Sequence, residues 1–170
     1  MLDLSWITET MAIGGSFPPM LTQALASDHG VAAVVDLRGE TCDDVELLAK
    51  HRIDFLHLPT IDFAPVSPTK LHRGVEFVTA HTSAGRRVLV HCAHGIGRSA
   101  VLGLCVLVEH GHAPIDALAL AKKRRRCVSP SPAQFGAWAA WLAIRRIERR
   151  ATWSVPTFDE FKAIAYRQFR

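Results

Sequence analysis

Apolar positions along this chain fall into short continuous runs separated by stretches with helical periodicity. Residues 31–37 hold one polar side chain, Asp36, among six apolar ones. A run of that kind predicts a strand buried on both faces. Residues 87–91 read as a second strand, and residues 54–58 alternate well enough for a third, which Pro59 should end. Two further short strands are predicted over residues 5–8 and 11–14. Between them, Pro18 and Pro19 open a helix that runs to Ser27, and Asp43 and Asp44 start a short helix through Lys50. After a loop at residues 65–68, Leu71, Val75, Val78 and Thr79 share one side of a helix over residues 69–82, closed by Gly85. Residues 98–110 are apolar nearly all round, so this helix belongs in the middle of the protein, with Gly111 as its cap. Pro114 opens another helix, and a loop at residues 129–132 precedes a long one over residues 133–149.

Strands alternating with helices predict an α/β domain, with a mostly parallel central sheet of about five strands flanked by helices. That domain is expected to occupy residues 1–150. Residues 151–170 then form a carboxy-terminal extension, helical and packed on the domain through Phe158, Phe161, Ile164 and Tyr166.

Composition agrees with one folded unit: 170 residues, 49% hydrophobic and 21% charged. The longest apolar run, residues 100–108, is too short to span a bilayer, and the first residues lack the basic and apolar regions of a secretory signal. Cys42, Cys92, Cys105 and Cys127 show neither zinc-ligand spacing nor a disulfide pattern, which points to a reducing cytoplasm. The histidines lack ligand spacing too, so no metal and no cofactor are expected.

Charge adds an asymmetry. Residues 1–120 carry eight Lys or Arg against 13 Asp or Glu, a net −5, whereas residues 121–170 carry 12 against three, a net +9. Lys122, Lys123, Arg124, Arg125 and Arg126 are contiguous. Such a half can draw an anionic substrate, an acidic partner or an anionic membrane, or can simply be a solvated helix face; no nucleic-acid partner is expected.

The chemistry concentrates in one stretch, His91, Cys92, Ala93, His94, Gly95, Ile96, Gly97, Arg98 and Ser99. A buried strand delivers Cys92, and Arg98 opens the central helix. Gly95 and Gly97 permit backbone conformations that other residues resist. The amides of residues 93–98 can therefore wrap around one anion, with the helix amino terminus adding its dipole. Arg98 can grip two phosphate oxygens with its planar fork. The same field lowers the pKa of Cys92 and makes it a nucleophile able to form a phosphocysteine. Ser99 can donate to the sulfur, and His91 is expected to orient the loop.

The sequence from His91 and Cys92 through five residues to Arg98 and Ser99 resembles the signature of the protein tyrosine phosphatase superfamily, in its dual-specificity form. The likeness covers roughly residues 5–145, and it implies that fold and a two-step, metal-free hydrolysis of phosphate esters. It also implies a general-acid aspartate between the strand at 54–58 and the one at 87–91. Asp62 fits, with Asp36 and Asp54 as weaker alternatives. Gln134 occupies the place where some members carry a glutamine that positions the hydrolytic water; it is equally placed to be a first-turn helix residue. Cys105 is expected to pack in the buried helix, and Cys42 or Cys127 is open to pairing with Cys92. The leading expectation is a phosphatase of phosphoproteins, acting on tyrosine and on serine or threonine. The alternative is a phospholipid or other small-molecule phosphatase of the same mechanism; a silent phosphate-binding module is disfavoured because the whole catalytic set is present.

Overall fold

The computed structural model describes residues 1–167. It places β1 (Leu4–Trp6), β2 (Met11–Gly14), β3 (Val31–Arg38), β4 (Asp54–Thr60) and β5 (Arg87–His91) in one sheet of order β1-β2-β5-β3-β4. β1 pairs antiparallel with β2; every other pairing is parallel. The continuous apolar runs thus occupy interior positions, β3 and β5, where helices cover both faces. Ala33, Val35 and Leu37 of β3 enter the larger core, while Val31 and Val34 enter a smaller one with Leu25 and Leu48.

The smaller core lies under α1 (Thr22–Ser27) and α2 (Val45–Lys50). The larger one lies under α3 (Pro68–Ser83), α4 (Arg98–Glu109), α5 (Pro114–Arg124) and α6 (Pro132–Glu148). α4 is the central helix its composition demands. Every residue from Arg98 to Val108 is buried, and the helix packs against the sheet, α3, α5 and α6. α7 (Phe158–Ala165) buries Phe161 against Phe135, ring centroids 4.7 Å apart, and Tyr166 Oη donates to Pro130 O. Residues 168–170 of the expected extension lie outside the described residues. Among the described residues, no helix is long and apolar enough to cross a membrane.

Four details differ from the expectation. Pro59 does not end β4, which continues to Thr60; β4 is an edge strand, so the missing N–H costs no ladder bond. β1 ends at Trp6 because Thr8 Oγ1 accepts from Met11 N at 3.0 Å and turns the chain. The helix opened by the prolines begins as a 3-10 turn, Pro19–Leu21, before α1. Finally, α3 and α6 each begin one residue early, at prolines behind the caps Ser67 and Ser131.

Candidate active site

β5 ends at His91, and the loop that follows closes on α4, whose cap Gly97 offers no side-chain bond. The first-turn N–H groups of α4 are therefore left for another acceptor. What shapes the loop is the fate of its carbonyls. Ala93 O accepts from Ser16 N at 3.1 Å. His94 O and Gly95 O accept from Arg125 Nη2 and Nε at 2.9 and 2.8 Å. Ile96 O accepts from Ser129 N at 3.0 Å, and Gly97 O is taken by the helix. A trans peptide points its C=O and the next N–H in opposite directions. Holding these carbonyls outward therefore turns the following amides inward, which is an anion cradle. Gly95 is needed on two counts. Its φ is +65°, and a Cβ there would meet Gly14 O at 2.5 Å.

Cys92 lies at the floor of this cradle, 3% exposed, with Sγ 3.3 Å from Ser99 Oγ. Burial alone would raise its pKa. The Ser99 hydroxyl and the N–H groups of Ser99, Gly95 and His94 outweigh burial, and the thiol titrates below its ordinary value. His91, fully buried, is held by Asp43 Oδ2 at 2.7 Å from Nε2, and its Nδ1 lies 3.3 Å from Cys92 O. The histidine thus braces the backbone under the thiol.

Arg98 is 1% exposed and its five donors are divided. Nη1 donates to Glu40 Oε2 at 2.7 Å and to Thr60 O at 2.8 Å; Nη2 donates to Glu40 Oε1 at 3.0 Å. The end of the fork thus belongs to Glu40, and two N–H groups, at Nε and Nη2, remain for a phosphate. Nε stands 3.3 Å from Asp62 Oδ1, an ion-pair distance without hydrogen-bond geometry. The bond to Arg98 holds the Glu40 carboxyl at about 2, against an ordinary 4.5.

Asp62 sits on the loop after β4. Phe63 beside it has φ +60°, an uncommon conformation for a residue with a side chain, and its carbonyl accepts from Ser131 Oγ at 2.8 Å. This strap ties the Asp62 loop to the start of α6. The glutamine there caps α6 and also reaches the pocket that Asp62 lines. Gln134 forms a capping box with Ser131, yet its Nε2 is buried without a partner among the described residues and its side chain lines the same pocket. That pocket, about 110 Å³, brings together Cys92, Arg98, Asp62, Gln134 and Gly97. The weaker acid candidates are elsewhere: Asp36 is buried in an ion pair with Arg38, and Asp54 pairs with Arg86 and His81.

Sequence reasoning missed Glu40, Asp43, Ser16 and Arg125. Only Arg125 carried a signal, and it was submerged in a run of five basic residues. The structure splits that run. Lys122 is buried, donating to Val128 O and Ala165 O; Arg125 is buried beneath the loop; Lys123 and Arg126 line an outer groove. The fold also gathers Asp36, Asp43 and His91, whose ligand atoms come within 4.8 Å of one another. These groups already bond to Arg38 and to each other. Cys105 is wholly buried and its thiol pushed well up by burial, whereas Cys42 and Cys127 are exposed; among the described residues no cysteines are bridged.

Similar proteins are found among the phosphatases. Rat phosphatidylglycerophosphatase and protein-tyrosine phosphatase 1 is 31% identical over 136 residues, covering 75% of this chain and 70% of that protein. The phosphatidylglycerophosphate phosphatase PTPMT1 of Arabidopsis thaliana is 34% identical over 109 residues, 61% of this chain and 32% of that protein. A crystal structure of PTPMT1 in complex with PI(5)P superposes with a TM-score of 0.77 at 26% identity, over 85% of this chain and 97% of that one. Residues 15–141 match the dual specificity phosphatase catalytic domain, and the chain belongs to that family of phosphatases.

Proposed function

We propose that this phosphatase hydrolyses the terminal phosphate monoester of an anionic phospholipid through a phosphocysteine. The Cys92 thiolate attacks phosphorus as the bond to the leaving oxygen breaks, and the Asp62 carboxyl gives that oxygen its proton. Inward amides of residues 93–98 and the two remaining Arg98 donors balance the charge of the transferring phosphoryl group. A water then attacks phosphorus, its proton passes to the Asp62 carboxylate, and the S–P bond breaks. Ser99 Oγ stabilises the departing thiolate, and Gln134 Nε2 donates to the attacking water. Inorganic phosphate leaves.

The observation that carries the chemistry is the pairing of Cys92 Sγ with Ser99 Oγ inside a loop whose carbonyls are tied outward. The substrate class is supported by relatives named for phosphatidylglycerophosphate and by an apolar rim at the pocket mouth, Phe63 and Ile96. Residues 1–150 would form the catalytic domain, the rest an appended helix, in a cytoplasmic setting. Cys92→Ser should abolish turnover of an aryl phosphate, and Asp62→Asn should slow it by roughly 10²–10⁴-fold. Comparing a short-chain, monomeric phosphatidylglycerophosphate with a phosphotyrosine peptide tests the substrate; a higher kcat/KM for the peptide restores the phosphoprotein reading.

A further inference from the structure

Ile61 and Phe63, on either side of Asp62, are 78% and 73% exposed, and Ile96 projects from the tip of the phosphate loop. Large apolar side chains set singly on a surface are ordinary; here Phe63 and Ile96 line one mouth and Ile61 stands exposed two residues from Phe63. Ile96 and Ser129, which line the catalytic pocket, also line a second cavity of about 860 Å³ with Arg126 and Arg167. Next to it, Lys123 and Ile164 join Arg126 and Arg167 around a cavity of about 420 Å³ between α5 and α7. No carboxylate lines either cavity among the described residues. Lys122, buried and bonded to Val128 O and Ala165 O, holds the walls of this groove together. One continuous face therefore presents apolar prongs, the catalytic mouth and a basic groove, in that order.

We propose that this face seats on an anionic lipid surface, with Ile61, Phe63 and Ile96 entering the interfacial layer and Lys123 and Arg167 taking headgroup phosphates. The proposal rests on the phospholipid reading above and adds to it the surface that presents the enzyme to its substrate. Basic side chains and apolar prongs act together on a charged bilayer, the first by long-range attraction and the second by burial. A soluble acidic partner would satisfy the groove but leave the prongs wet, and this is why a membrane is favoured. Seating by this face also brings the mouth down to where a lipid phosphate lies, so that substrate need not leave the bilayer.

The test uses the full chain carrying Cys92→Ser and vesicles without any phosphate monoester, either phosphatidylcholine alone or phosphatidylcholine with phosphatidylglycerol. Sedimentation should show strong partition only to the anionic vesicles. Lys123→Gln should weaken it about fivefold, and Ile61→Ser roughly tenfold, with the Ile61→Ser loss persisting at high salt. In the background that retains Cys92, neither change should alter turnover of a soluble aryl phosphate. Equal partition to both vesicles, indifference to Ile61→Ser, or capture of a polyglutamate peptide in place of vesicles would each overturn the proposal. A protein that hydrolyses monomeric phosphatidylglycerophosphate but ignores vesicles refutes the docking alone. One that seats on vesicles yet prefers a phosphotyrosine peptide refutes the substrate reading alone.

Discussion

Arg125→Met removes the donors that hold two carbonyls of the phosphate loop while keeping a side chain of similar reach. Arg125 is 5% exposed and donates to Gly95 O at 2.8 Å and His94 O at 2.9 Å. Hydrogen bonds to a charged group are worth about 1.5–3 kcal/mol each, and two buried carbonyls would be left to find water. The pair with Asp3, whose side chain is 62% exposed, adds at most about 1 kcal/mol. A destabilisation of about 3–7 kcal/mol follows, read as a lower urea midpoint. Asp3→Asn should cost about 1 kcal/mol or less.

The functional consequence follows from peptide geometry. His94 C=O and Gly95 N–H belong to one peptide, and Gly95 N–H is among the groups that hold the Cys92 thiol low despite its burial. Freed from Arg125, that peptide can turn, and the thiol should titrate upward. kcat/KM for an aryl phosphate should fall about 10- to 100-fold, less than the loss of a whole oxyanion donor. The pH dependence of iodoacetamide alkylation reads the thiol directly. Because the folded pKa is depressed, the stability it confers is full above the unfolded thiol's pKa and lost as pH falls through the folded one. The stability gap between wild type and variant should accordingly widen as pH rises into the alkaline range. Should a folded Arg125→Met protein keep the wild-type alkylation profile, the outward-tether argument is wrong. Arg125→Lys, which keeps the charge but lacks the rigid fork, should fall between the two.

Gly97→Ala drives a Cβ into the Gln134 side-chain amide, so the glutamine has to move. Phosphocysteine hydrolysis should slow more than its formation, giving a larger burst in rapid-quench kinetics; an unchanged burst removes Gln134 from the second step. Glu40 is held at about 2, below its ordinary 4.5, by the Arg98 bond, so its contribution is present above about 4.5 and fades as pH falls toward 2. Its side chain is 48% exposed, which keeps the contribution below about 1 kcal/mol. Urea midpoints of wild type and Glu40→Gln should converge near pH 2 and separate above pH 5; curves parallel throughout refute the pairing.

How much of this was legible in the chain depended on how local the cause was. Strands β3 and β5 and the central helix α4 follow from apolar pattern, because burial on all sides leaves a pattern in consecutive residues. The order of strands across the sheet leaves no such trace. Cys92, Arg98 and Ser99 were readable because one short loop carries them all. Asp62 needed the family resemblance to lift it above Asp36 and Asp54, since a lone aspartate in a turn has ordinary structural reasons to be there. Glu40, Asp43, Ser16 and Arg125 act on the loop across 30 to 77 residues of chain, as the Ser16 to Ala93 bond, at a separation of 77, illustrates. Pro59 misled for a related reason: whether a strand tolerates proline depends on its being at the edge, which is a property of the sheet.

The signature is therefore necessary to the site without being sufficient. Five residues between a cysteine and an arginine define where an anion cradle can form, but a chain of glycines and small residues has many ways to close. The choice here is made by donors from outside: Ser16 after β2, Arg125 after α5 and Ser129 ahead of α6. Ser16 and Ser129 each pull one carbonyl outward and Arg125 pulls two, and every carbonyl so held sets the following amide inward. The thiol's lowered pKa is then a collective property of three elements and not of the loop alone. It follows that catalysis should be lost by substitutions that leave every signature residue intact. It follows too that the same loop transplanted without Arg125 and Ser16 should bind phosphate poorly. The basic run that looked like surface charge contains one residue without which the phosphate loop would not hold its shape.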